Sequence, residues 1–451
     1  MLDTLNRRVI QPLVAIRRRS RHLEYLRQLE RTQFDAPDAM RAKQLVRLQA
    51  TLHHAWATVP YYQRVWSAAG IHPSDVKTLD DFRHFPILTK TDIREHNDEL
   101  RSTAFDITTL RVKKTSGSTG VPLRVYLDEN GAQWKTACTL RADQWSGWQL
   151  GQRVAKVWGN PEYRHFGLRG RITNRVVDRA VYLDTIQLND DRIREFATAL
   201  RRHRPGLIFG HAHSLYLVAC QLKKMGIDDI RPNGIISTAM PLHDWQRTVI
   251  EQVFGTKVTN RYGCEEVSLI ACECEQHRGL HVAAESVFTE VLSTGAVPGK
   301  LLITDLSNMA MPLIRYQIGD VVTPSCHTCP CGRGLPMFDR IEGRDADYVV
   351  TPAGNLISGI SLTENFAMQI DGIAQLQIVQ ETQAHLRLRI VKDPTFGDAS
   401  QRQITKLVHE MFGPTMRHDL EFVDLIPQEP SGKYRFCISK VATDHLKALS
   451  V

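Results

Sequence analysis

Short apolar runs alternate with segments of helical periodicity between about residue 150 and residue 262, and this alternation constrains the fold more than any other feature. Three runs have the length and apolar content of buried strands: Val154 to Val157, Gly206 to Phe209 and Gly234 to Ala239. A helix between the second and third runs is indicated by apolar residues at helical spacing: Leu215, Val218, Leu222 and Met225. A helix over 241–254 and a strand from Lys257 to Tyr262 complete the pattern. The alternation predicts a layered α/β domain with a largely parallel sheet.

Ligands of such sheets bind at the carboxyl ends of the strands. Two segments of this chain place polar residues at such ends: Ser237-Thr238-Ala239 and Tyr262-Gly263-Cys264-Glu265-Glu266. We expect both segments to line one rim of the sheet and to contribute to a binding site. An ordinary loop is the alternative for either segment taken alone.

The sequence pattern changes after about residue 343. The later elements are strands at 374–380, 386–391 and 419–424 and a helix at 399–412, which predict a compact α+β unit. A chain of 451 residues with 42% hydrophobic content is long enough for more than one core. We therefore expect three parts: a basic helical extension over 1–40, a large α/β domain over 41–342 and a small α+β C-terminal domain over 343–451.

The composition limits the class of protein. Nine cysteines are an odd number in a long chain without a secretory signal, which favours the reducing cytoplasm over a disulfide framework. No apolar run has the length of a membrane span. The formal net charge of +8 suits an anionic ligand. Nucleic acid is a disfavoured partner, because the basic residues are not interleaved with aromatic ones.

The first 33 residues are rich in arginine, with apolar residues between the charges: Val9, Ile10, Leu13, Val14 and Ile16. We interpret this segment as a solvated helix packed on its own domain. The alternative is peripheral contact of a basic amphipathic helix with a membrane surface. A second helix is predicted by Leu45, Leu48, Leu52 and Trp56. It should end before Pro60, because proline disfavours the helical conformation of the residue before it.

A loop of hydroxyl residues and glycines follows the basic pair Lys113-Lys114. Its residues are Thr115, Ser116, Gly117, Ser118, Thr119 and Gly120. Glycine lets the backbone approach a ligand closely, and the hydroxyl and N–H groups of such a turn suit phosphate oxygens. The strand-like run from Arg124 to Asp128 indicates that the loop joins two strands. A plain surface turn is the alternative.

Three further charged residues lie at a predicted strand end, in the segment 341–347 and in a predicted turn. Asp320 follows Gly319 at the predicted end of an apolar strand, where a carboxylate can accept two hydrogen bonds from a diol or can serve only as a turn residue. Arg344 lies in the segment 341–347, and Lys433 lies in a predicted exposed turn.

Six of the nine cysteines fall between Cys264 and Cys331 and, with nearby histidines, offer more ligands than one tetrahedral zinc needs. The candidates are Cys272, Cys274, His277, His281, Cys326, His327, Cys329 and Cys331. We expect the ligands to lie on loops, which a structural zinc would crosslink. Free buried thiols are the alternative. A catalytic zinc is disfavoured, because four protein ligands leave no open position.

Taken in order, these motifs resemble those of the adenylate-forming acyl ligases. The matching segments are Thr115–Pro122 for the phosphate loop, Tyr262-Gly263-x-x-Glu266 for the adenine and magnesium motif, Tyr316-x-x-Gly319-Asp320 for the ribose motif, Gly343-Arg344 for the hinge and Ser431-Gly432-Lys433 for the C-terminal lysine motif. Two other segments are similar to the phenylacetate–CoA ligase and capsular-polysaccharide-type branch: Met311-Pro312-Leu313-Ile314-Arg315-Tyr316 and Cys329-Pro330-Cys331-Gly332-Arg333. Val59-Pro60-Tyr61-Tyr62 extends the resemblance, which covers about residues 40 to 440.

The resemblance implies an ATP-dependent acid–CoA ligase with a mobile C-terminal domain. The carboxylate of an aryl or other hydrophobic acid attacks the α-phosphorus of ATP, and coenzyme A then displaces AMP from the acyl-adenylate. The implied cofactors are ATP, Mg²⁺, coenzyme A and a structural Zn²⁺. Relatives of this branch also suggest a homodimer.

The resemblance also implies residue roles. Lys433 and Glu266 would be the catalytic residues, with Lys433 between the carboxylate and the α-phosphate and Glu266 holding Mg²⁺. The residues implied to contact the nucleotide or line its pocket are Thr115, Ser116, Gly117, Ser118, Thr119, Gly120, Ser237, Thr238, Ala239, Tyr262, Gly263, Asp320 and Arg344. The implied zinc ligands are Cys274, His281, Cys329 and Cys331.

Ala346 departs from the family pattern, which commonly has an aspartate two residues after the hinge arginine. The C-terminal domain is expected to rotate about this segment between the two steps, so the change bears on the second step. It keeps open an alternative in which the adenylate passes to an amine, a hydroxyl or a carrier protein. A third interpretation is a zinc-stapled binding protein, which is disfavoured because it has no need for Lys433, Asp320 and Glu266 at their expected positions.

Overall fold

The computed structural model describes residues 2–114, 123–158, 167–185, 190–240, 242–292, 298–341, 348–354, 356–358, 362, 366, 369–426 and 436–441. The described α-helices are α1 Leu2–Leu5, α2 Gln11–Arg17, α3 His22–Thr32, α4 Pro37–Thr58, α5 Pro60–Ala68, α6 Lys90–Glu95, α7 Glu129–Gln144, α8 Gly167–Thr173, α9 Asp190–His203, α10 Ala212–Lys224, α11 Asp244–Phe254 and α12 Asp398–Phe412. In this part of the chain, no helix is both long and apolar enough to cross a membrane.

The described strands are β1 Arg111–Lys114, β2 Arg124–Leu127, β3 Val154–Val157, β4 Ala180–Leu183, β5 Leu207–His211, β6 Gly234–Thr238, β7 Val258–Cys264, β8 Ser268–Glu273, β9 Leu280–Val282, β10 Val287–Leu292, β11 Gly299–Asp305, β12 Tyr316–Pro324, β13 Met337–Ile341, β14 Tyr348–Val350, β15 Leu356–Ser358, β16 Ile373–Thr382, β17 His385–Lys392, β18 Arg417–Phe422 and β19 Cys437–Ser439.

The chain divides into two compact units. Unit 1 is built from the described residues of Met1–Lys114, Leu123–Gly151 and Thr259–Gly343, and unit 2 from those of Gln152–Val258 and Arg344–Val451. The division into a 1–40 extension, a 41–342 domain and a 343–451 domain stays a prediction.

Unit 1 contains an antiparallel sheet with the strand order β10-β11-β12-β13-β9-β8-β7. Buried and partly exposed residues alternate along β12, as expected when one face of a strand packs on a core. The predicted strands on either side of the hydroxyl-rich loop are also present, because β1 and β2 pair as an antiparallel hairpin.

Unit 2 contains the parallel sheet that the strand–helix alternation predicts. Its strand order is β4-β3-β5-β6, and every neighbouring pair is parallel. One face of this sheet packs against helices α9, α10 and α11 through apolar side chains such as Phe196, Leu215 and Phe254. A four-stranded sheet of order β18-β17-β16-β19 shares a second core with α12, which confirms the predicted α+β pattern beyond residue 373.

The predicted helix around Leu48 ends at Thr58, as expected from Pro60. Val59 has extended backbone angles, and Pro60 is the first residue of the next helix, α5. Proline is well suited to that position, since the first N–H groups of a helix have no partner within it.

The arginine-rich N-terminus is helical and packs on unit 1. Tyr25, Leu26 and Leu29 on α3 are buried against α7, where Trp134 and Cys138 belong to the same core. This packing agrees with the interpretation of the segment as a helix packed on its own domain.

Candidate active site and candidate metal centre

Two tyrosine–carboxylate hydrogen bonds join the predicted adenine and ribose motifs in unit 1. The hydroxyl of Tyr262 donates to Asp320 Oδ2 at 2.6 Å, and the hydroxyl of Tyr316 donates to Glu266 Oε1 at 3.0 Å. Each motif thus supplies the tyrosine that holds the other motif's carboxylate. Glu266 and Asp320 are both buried, with 8% and 5% of their surface exposed. Buried carboxylates need such donors, because few water molecules reach them.

The first motif lies where β7 turns into β8. A Cβ atom on Gly263 would lie 2.4 Å from the carbonyl oxygen of Ser268, so this position admits only glycine without backbone movement. Ser268 itself has a positive φ of 68°. The tight turn therefore explains why glycine follows Tyr262 in this motif.

Asp320 lies inside β12, which continues to Pro324, and not at the end of a strand as the sequence suggested. The strand pairing shifts here, from Leu302 opposite Gln317 to Lys300 opposite Val321. The extra residues form a bulge, and bulges redirect side chains next to functional sites. Gly319, with φ of 88°, supplies the backbone conformation that the bulge requires.

Sequence reasoning did not select Lys113 as a site residue, although it identified the basic pair. Lys113 lies in the hairpin strand β1, one residue before its end, and its Nζ donates to Ser268 Oγ at 2.9 Å. Glu265 Oε2 lies 3.9 Å from the same Nζ. Burial lowers the pKa of the Lys113 ammonium, and Glu265 opposes that change. A partly buried cation therefore lies beside the Tyr262–Glu266 motif.

A fully buried ion pair supports the segment after Glu266. Lys135 Nζ donates to Asp305 Oδ2 at 2.7 Å and to the carbonyl oxygen of Val267 at 2.8 Å. The partners come from α7, β11 and the β7–β8 turn, so they are distant in sequence. No local sequence pattern predicts such a contact, and sequence reasoning missed it.

Tyr62, in the segment Val59–Tyr62 that extends the resemblance, is connected to the branch-specific segment that begins at Met311. Its hydroxyl donates to the carbonyl oxygen of Pro312 at 2.8 Å and accepts a hydrogen bond from the N–H of Ile314 at 3.0 Å. The side chain is buried. The resemblance in these two segments therefore has a structural basis, a buried crosslink that fixes the start of β12.

Arg315 is buried beside this crosslink. Its guanidinium forms a two-pronged ion pair with Glu290, with N···O distances of 3.0 and 2.9 Å, and also donates to the carbonyl oxygens of Arg83 and Phe85. Burial raises the pKa of the Glu290 carboxyl, and the guanidinium opposes that rise. Arg315 thereby holds three segments of unit 1 together.

Several predicted site residues lie outside the described residues. They are Thr115, Ser116, Gly117, Ser118, Thr119, Gly120, Arg344 and Lys433. Their roles stay predictions.

In unit 2, Ser237 and Thr238 form the carboxyl end of β6, as predicted, and Ala239 follows with a positive φ of 67°. The neighbouring strand β5 ends at His211, which pairs in register with Thr238. Ser237 Oγ and both ring nitrogens of His211 are buried and lack a hydrogen-bond partner among the described residues. The common rim expected for Ser237–Ala239 and Tyr262–Glu266 stays a prediction.

Four residues of unit 1 form a compact cluster of metal-ligand type. The ligand atoms of Cys274, His281, Cys329 and Cys331 all lie within 4.8 Å of one another. Cys274 Sγ is 3.6 Å from Cys329 Sγ, and Cys331 Sγ is 3.3 Å from His281 Nε2. The nine cysteines are all free of disulfides.

These distances fit a tetrahedral zinc. Bonds of about 2.3 Å to sulfur and about 2.0 Å to nitrogen place two sulfurs about 3.8 Å apart and sulfur about 3.5 Å from nitrogen. Burial, with the nearby Arg333 guanidinium, lowers the pKa of His281 to about 4, so the ring is neutral at pH 7 and suited to a metal.

The fold selects this set from the surplus of candidates. His277 instead contacts Glu273 through Nδ1 at 3.2 Å, and His327 contacts Ser325 Oγ at 2.9 Å. Three of the four cluster residues lie on loops, as expected. His281 does not, because it lies in β9, where it pairs with Cys272 of β8 and Met337 of β13. The strand fixes one ligand, and the two loops bring the others to it.

Comparison with known proteins gives consistent relatives. Residues 349–440 match the family described as the CapK C-terminal domain. The chain is 27% identical over 345 residues to a phenylacetate–coenzyme A ligase of Aromatoleum evansii, covering 73% of this chain and 76% of that protein. It is 24% identical over 390 residues to the protein CapK of Staphylococcus aureus, covering 81% of each.

Among solved structures, 2-hydroxyisobutyryl-CoA ligase in complex with 2-HIB-AMP and CoA in the thioesterification state shares the fold, with a TM-score of 0.60 and 21% identity. The match covers 91% of this chain and 92% of that one. The motifs, the match of residues 349–440 and the sequence relatives agree in their similarity to the phenylacetate–CoA ligase and CapK branch of the adenylate-forming enzymes, and the solved structure shares the fold.

Proposed function

We propose that this chain is an ATP-dependent acid–CoA ligase. A carboxylate oxygen of the acid bonds to the α-phosphorus of ATP, and pyrophosphate leaves. The sulfur of coenzyme A then bonds to the acyl carbon, AMP leaves, and the thiol proton is released. The observation that carries the proposal is the reciprocal pairing of Tyr262 with Asp320 and of Tyr316 with Glu266.

The pairing supports the proposal because it prepares two carboxylates for different tasks. Asp320, held by one tyrosine, keeps acceptor capacity for two ribose hydroxyls, since a carboxylate offers about four lone-pair sites. Glu266, held by the other tyrosine, is suited to Mg²⁺, which prefers oxygen ligands and neutralises phosphate charge when bound. Both side chains are fixed before the ligand arrives, so little reorganisation is needed during the reaction.

Lys113 and Lys433 are the cations proposed to stabilise the charge that develops on the phosphate oxygens. Lys113 lies two residues before the proposed phosphate loop, and its partly buried ammonium lies beside Glu265 and Ser268. Lys433 receives its role from the family resemblance. Charge stabilisation and positioning supply most of the rate enhancement in reactions at phosphorus.

For the acid, we propose an aryl or other hydrophobic carboxylate bound at the carboxyl ends of β3, β5 and β6 in unit 2. The ring of Trp158 stacks on Phe209 at 5.2 Å and lies 3.8 Å from the His211 ring. Aromatic side chains suit an aryl group. The buried nitrogens of His211 suit a polar atom of the acid, because an unpaired buried polar group favours ligands that supply its hydrogen bond.

We also propose that Cys274, His281, Cys329 and Cys331 hold a structural zinc. Four protein ligands would close the coordination shell, so the ion would crosslink the β8–β9 and β12–β13 connections and take no part in the reaction.

The capsular-polysaccharide-type resemblance, with which the match of residues 349–440 to the CapK C-terminal domain agrees, keeps a second candidate for the acceptor. In that case an amine, a hydroxyl or a carrier protein would take the acyl group in place of coenzyme A. Ala346, at the hinge position, agrees with an altered second step. Both candidates share the adenylation step.

The test is ATP–pyrophosphate exchange by the purified, zinc-replete chain against a panel of aryl and aliphatic acids. We expect exchange with a subset of the acids. In Lys433→Ala the exchange rate should be lower by about a hundredfold or more. Lys440→Ala is the matched control, since Lys440 is a neighbouring surface lysine paired with Glu381. Faster AMP release on addition of coenzyme A supports the first acceptor, and no acceleration supports the second. A folded protein that exchanges with none of the acids contradicts the ligase proposal.

A further inference from the structure

The first helical segment of the chain consists of α1, a wider turn over Asn6–Ile10 and α2. One side of it is fixed to unit 1. A Cβ atom on Gly151 would lie 2.8 Å from the backbone nitrogen of Arg7 and 2.9 Å from the carbonyl oxygen of Asp3. Gly151 also has a positive φ of 94°. Asn6 and Ala15 are buried. The segment is therefore held against the protein, and its opposite side faces solvent.

That opposite side carries a stripe of large apolar side chains. Its members are Leu2, Leu5, Val9, Leu13 and Ile16, with 64%, 48%, 43%, 60% and 73% of their surfaces exposed. The spacing of three or four residues places successive members next to one another on a helix. Single exposed apolar residues are common on soluble proteins, but a continuous stripe of five is a feature of binding surfaces.

Arginines border the stripe. Residues 2–21 contain six arginines against a single acidic residue, Asp3. Arg8, Arg17, Arg18 and Arg19 are exposed, and none of them forms an ion pair within the described part of the chain. The surface therefore combines exposed apolar groups with uncompensated positive charge.

We propose that this stripe and its arginines bind the surface of a bilayer rich in anionic phospholipid. The apolar side chains would enter the boundary between headgroups and acyl chains, and the arginines would contact lipid phosphates. This proposal is independent of the proposed enzymatic function. The cytoplasmic leaflet, which carries anionic lipid, would be the target, in keeping with the reducing compartment expected from the cysteines.

Charge complementarity favours a membrane over other occupants. Two-fold pairing with a second copy of the chain would bring the arginines of both copies together, and like charges across an interface oppose association. A polyanion without apolar surface would satisfy the arginines and leave Leu13 and Ile16 in water. A bilayer with anionic headgroups satisfies both parts of the surface.

The test is cosedimentation of the full chain with vesicles of phosphatidylglycerol and phosphatidylcholine, compared with pure phosphatidylcholine. We expect clear binding to the anionic vesicles and at least about tenfold weaker partitioning to the neutral ones. Raising the salt from about 0.05 M to about 0.5 M should weaken the binding to anionic vesicles, because the Debye length shortens.

Two pairs of variants separate the contributions. The double substitution Leu13→Glu with Ile16→Glu should lower partitioning at least about tenfold, because it places carboxylates at the apolar contact. Its control is Val46→Glu, an equally exposed apolar position (66%) on α4. Arg17→Ala with Arg18→Ala should lower partitioning about 25-fold, at about fivefold per arginine. Its control is Arg402→Ala with Arg417→Ala, two exposed arginines of unit 2.

All four changed residues are exposed, so the variants should keep the circular dichroism spectrum and melting temperature of the wild type. Wild-type protein that fails to bind anionic vesicles, or Leu13→Glu/Ile16→Glu protein that binds as well as Val46→Glu, would overturn the proposal. So would a concentration-dependent dimer in analytical ultracentrifugation that the same double variant abolishes, since the stripe would then belong to a second copy.

Discussion

Replacing Tyr316 with phenylalanine tests the connection between the two motifs of unit 1. The ring of Tyr316 is fully buried, so the substitution keeps its packing and removes one hydroxyl. That hydroxyl donates to Glu266 Oε1 at 3.0 Å. Only 8% of the Glu266 surface is exposed, so water has little access to replace the lost hydrogen bond. A hydrogen bond to a charged group contributes about 1.5–3 kcal/mol. We expect the free energy of unfolding, measured with urea, to fall by that amount.

The same substitution should affect adenylation through Mg²⁺. If Glu266 holds the ion, a carboxylate without its donor is less well positioned, and more Mg²⁺ is needed for half-maximal pyrophosphate exchange. A loss of about 1.5–3 kcal/mol in the transition state corresponds to an exchange rate roughly 10- to 150-fold lower. The assay is pyrophosphate exchange at increasing Mg²⁺ concentration with a saturating acid.

Tyr62→Phe is the matched control. Tyr62 is a buried tyrosine of the same unit, but within the described residues its hydroxyl bonds only to backbone groups of Pro312 and Ile314. It should lower stability without changing the Mg²⁺ dependence. The reasoning fails if Tyr316→Phe unfolds within about 0.5 kcal/mol of the wild type and keeps its Mg²⁺ requirement.

Two further predictions concern the metal cluster and the buried histidine. Cys331→Ser should lower the zinc content of the purified protein about tenfold or more, measured by atomic absorption, whereas Cys326→Ser, exposed and outside the cluster, should retain it. Equal zinc in both variants would contradict the ligand set. Burial lowers the pKa of His211 from 6.5 to about 4. The unfolded chain therefore binds a proton at this residue more readily than the folded one, so the free energy of unfolding is highest above pH 6.5 and falls as the pH drops towards 4. Between pH 8 and pH 5 the wild type should lose about 2 kcal/mol of unfolding free energy through this residue, and His211→Gln should not show this loss. The exposed control His53→Gln should lose as much as the wild type.

Local patterns in the sequence were sufficient for several elements of unit 2, although β4 and α9 were not predicted. The runs around Val154 and Gly234 became members of one parallel sheet, with β5 between them. In unit 1, the helix before Pro60 ended at Thr58, because proline disfavours the helical conformation of the residue before it. These features depend on residues close together in the chain, whose apolar spacing and backbone restrictions act without regard to the rest of the molecule. The ordered motifs indicated the family for the same reason, since each motif is a short continuous segment.

Pairings across the chain were decided only by the tertiary structure. The sequence contained Tyr262, Glu266, Tyr316 and Asp320, but not the exchange of partners that joins them over 50 or more residues. The residues alone offered a surplus of zinc ligands, the resemblance implied one set of four, and the structure brings the ligand atoms of that set within 4.8 Å of one another.

Lys135 and Asp305 form a buried ion pair that no periodicity predicts. Asp320 was displaced from the expected strand end by a bulge in β12. In each case a hydrogen bond, an ion pair or a strand pairing joins residues that are distant in sequence. The result therefore depends on how the strands assemble, and the local sequence of a single strand does not determine it.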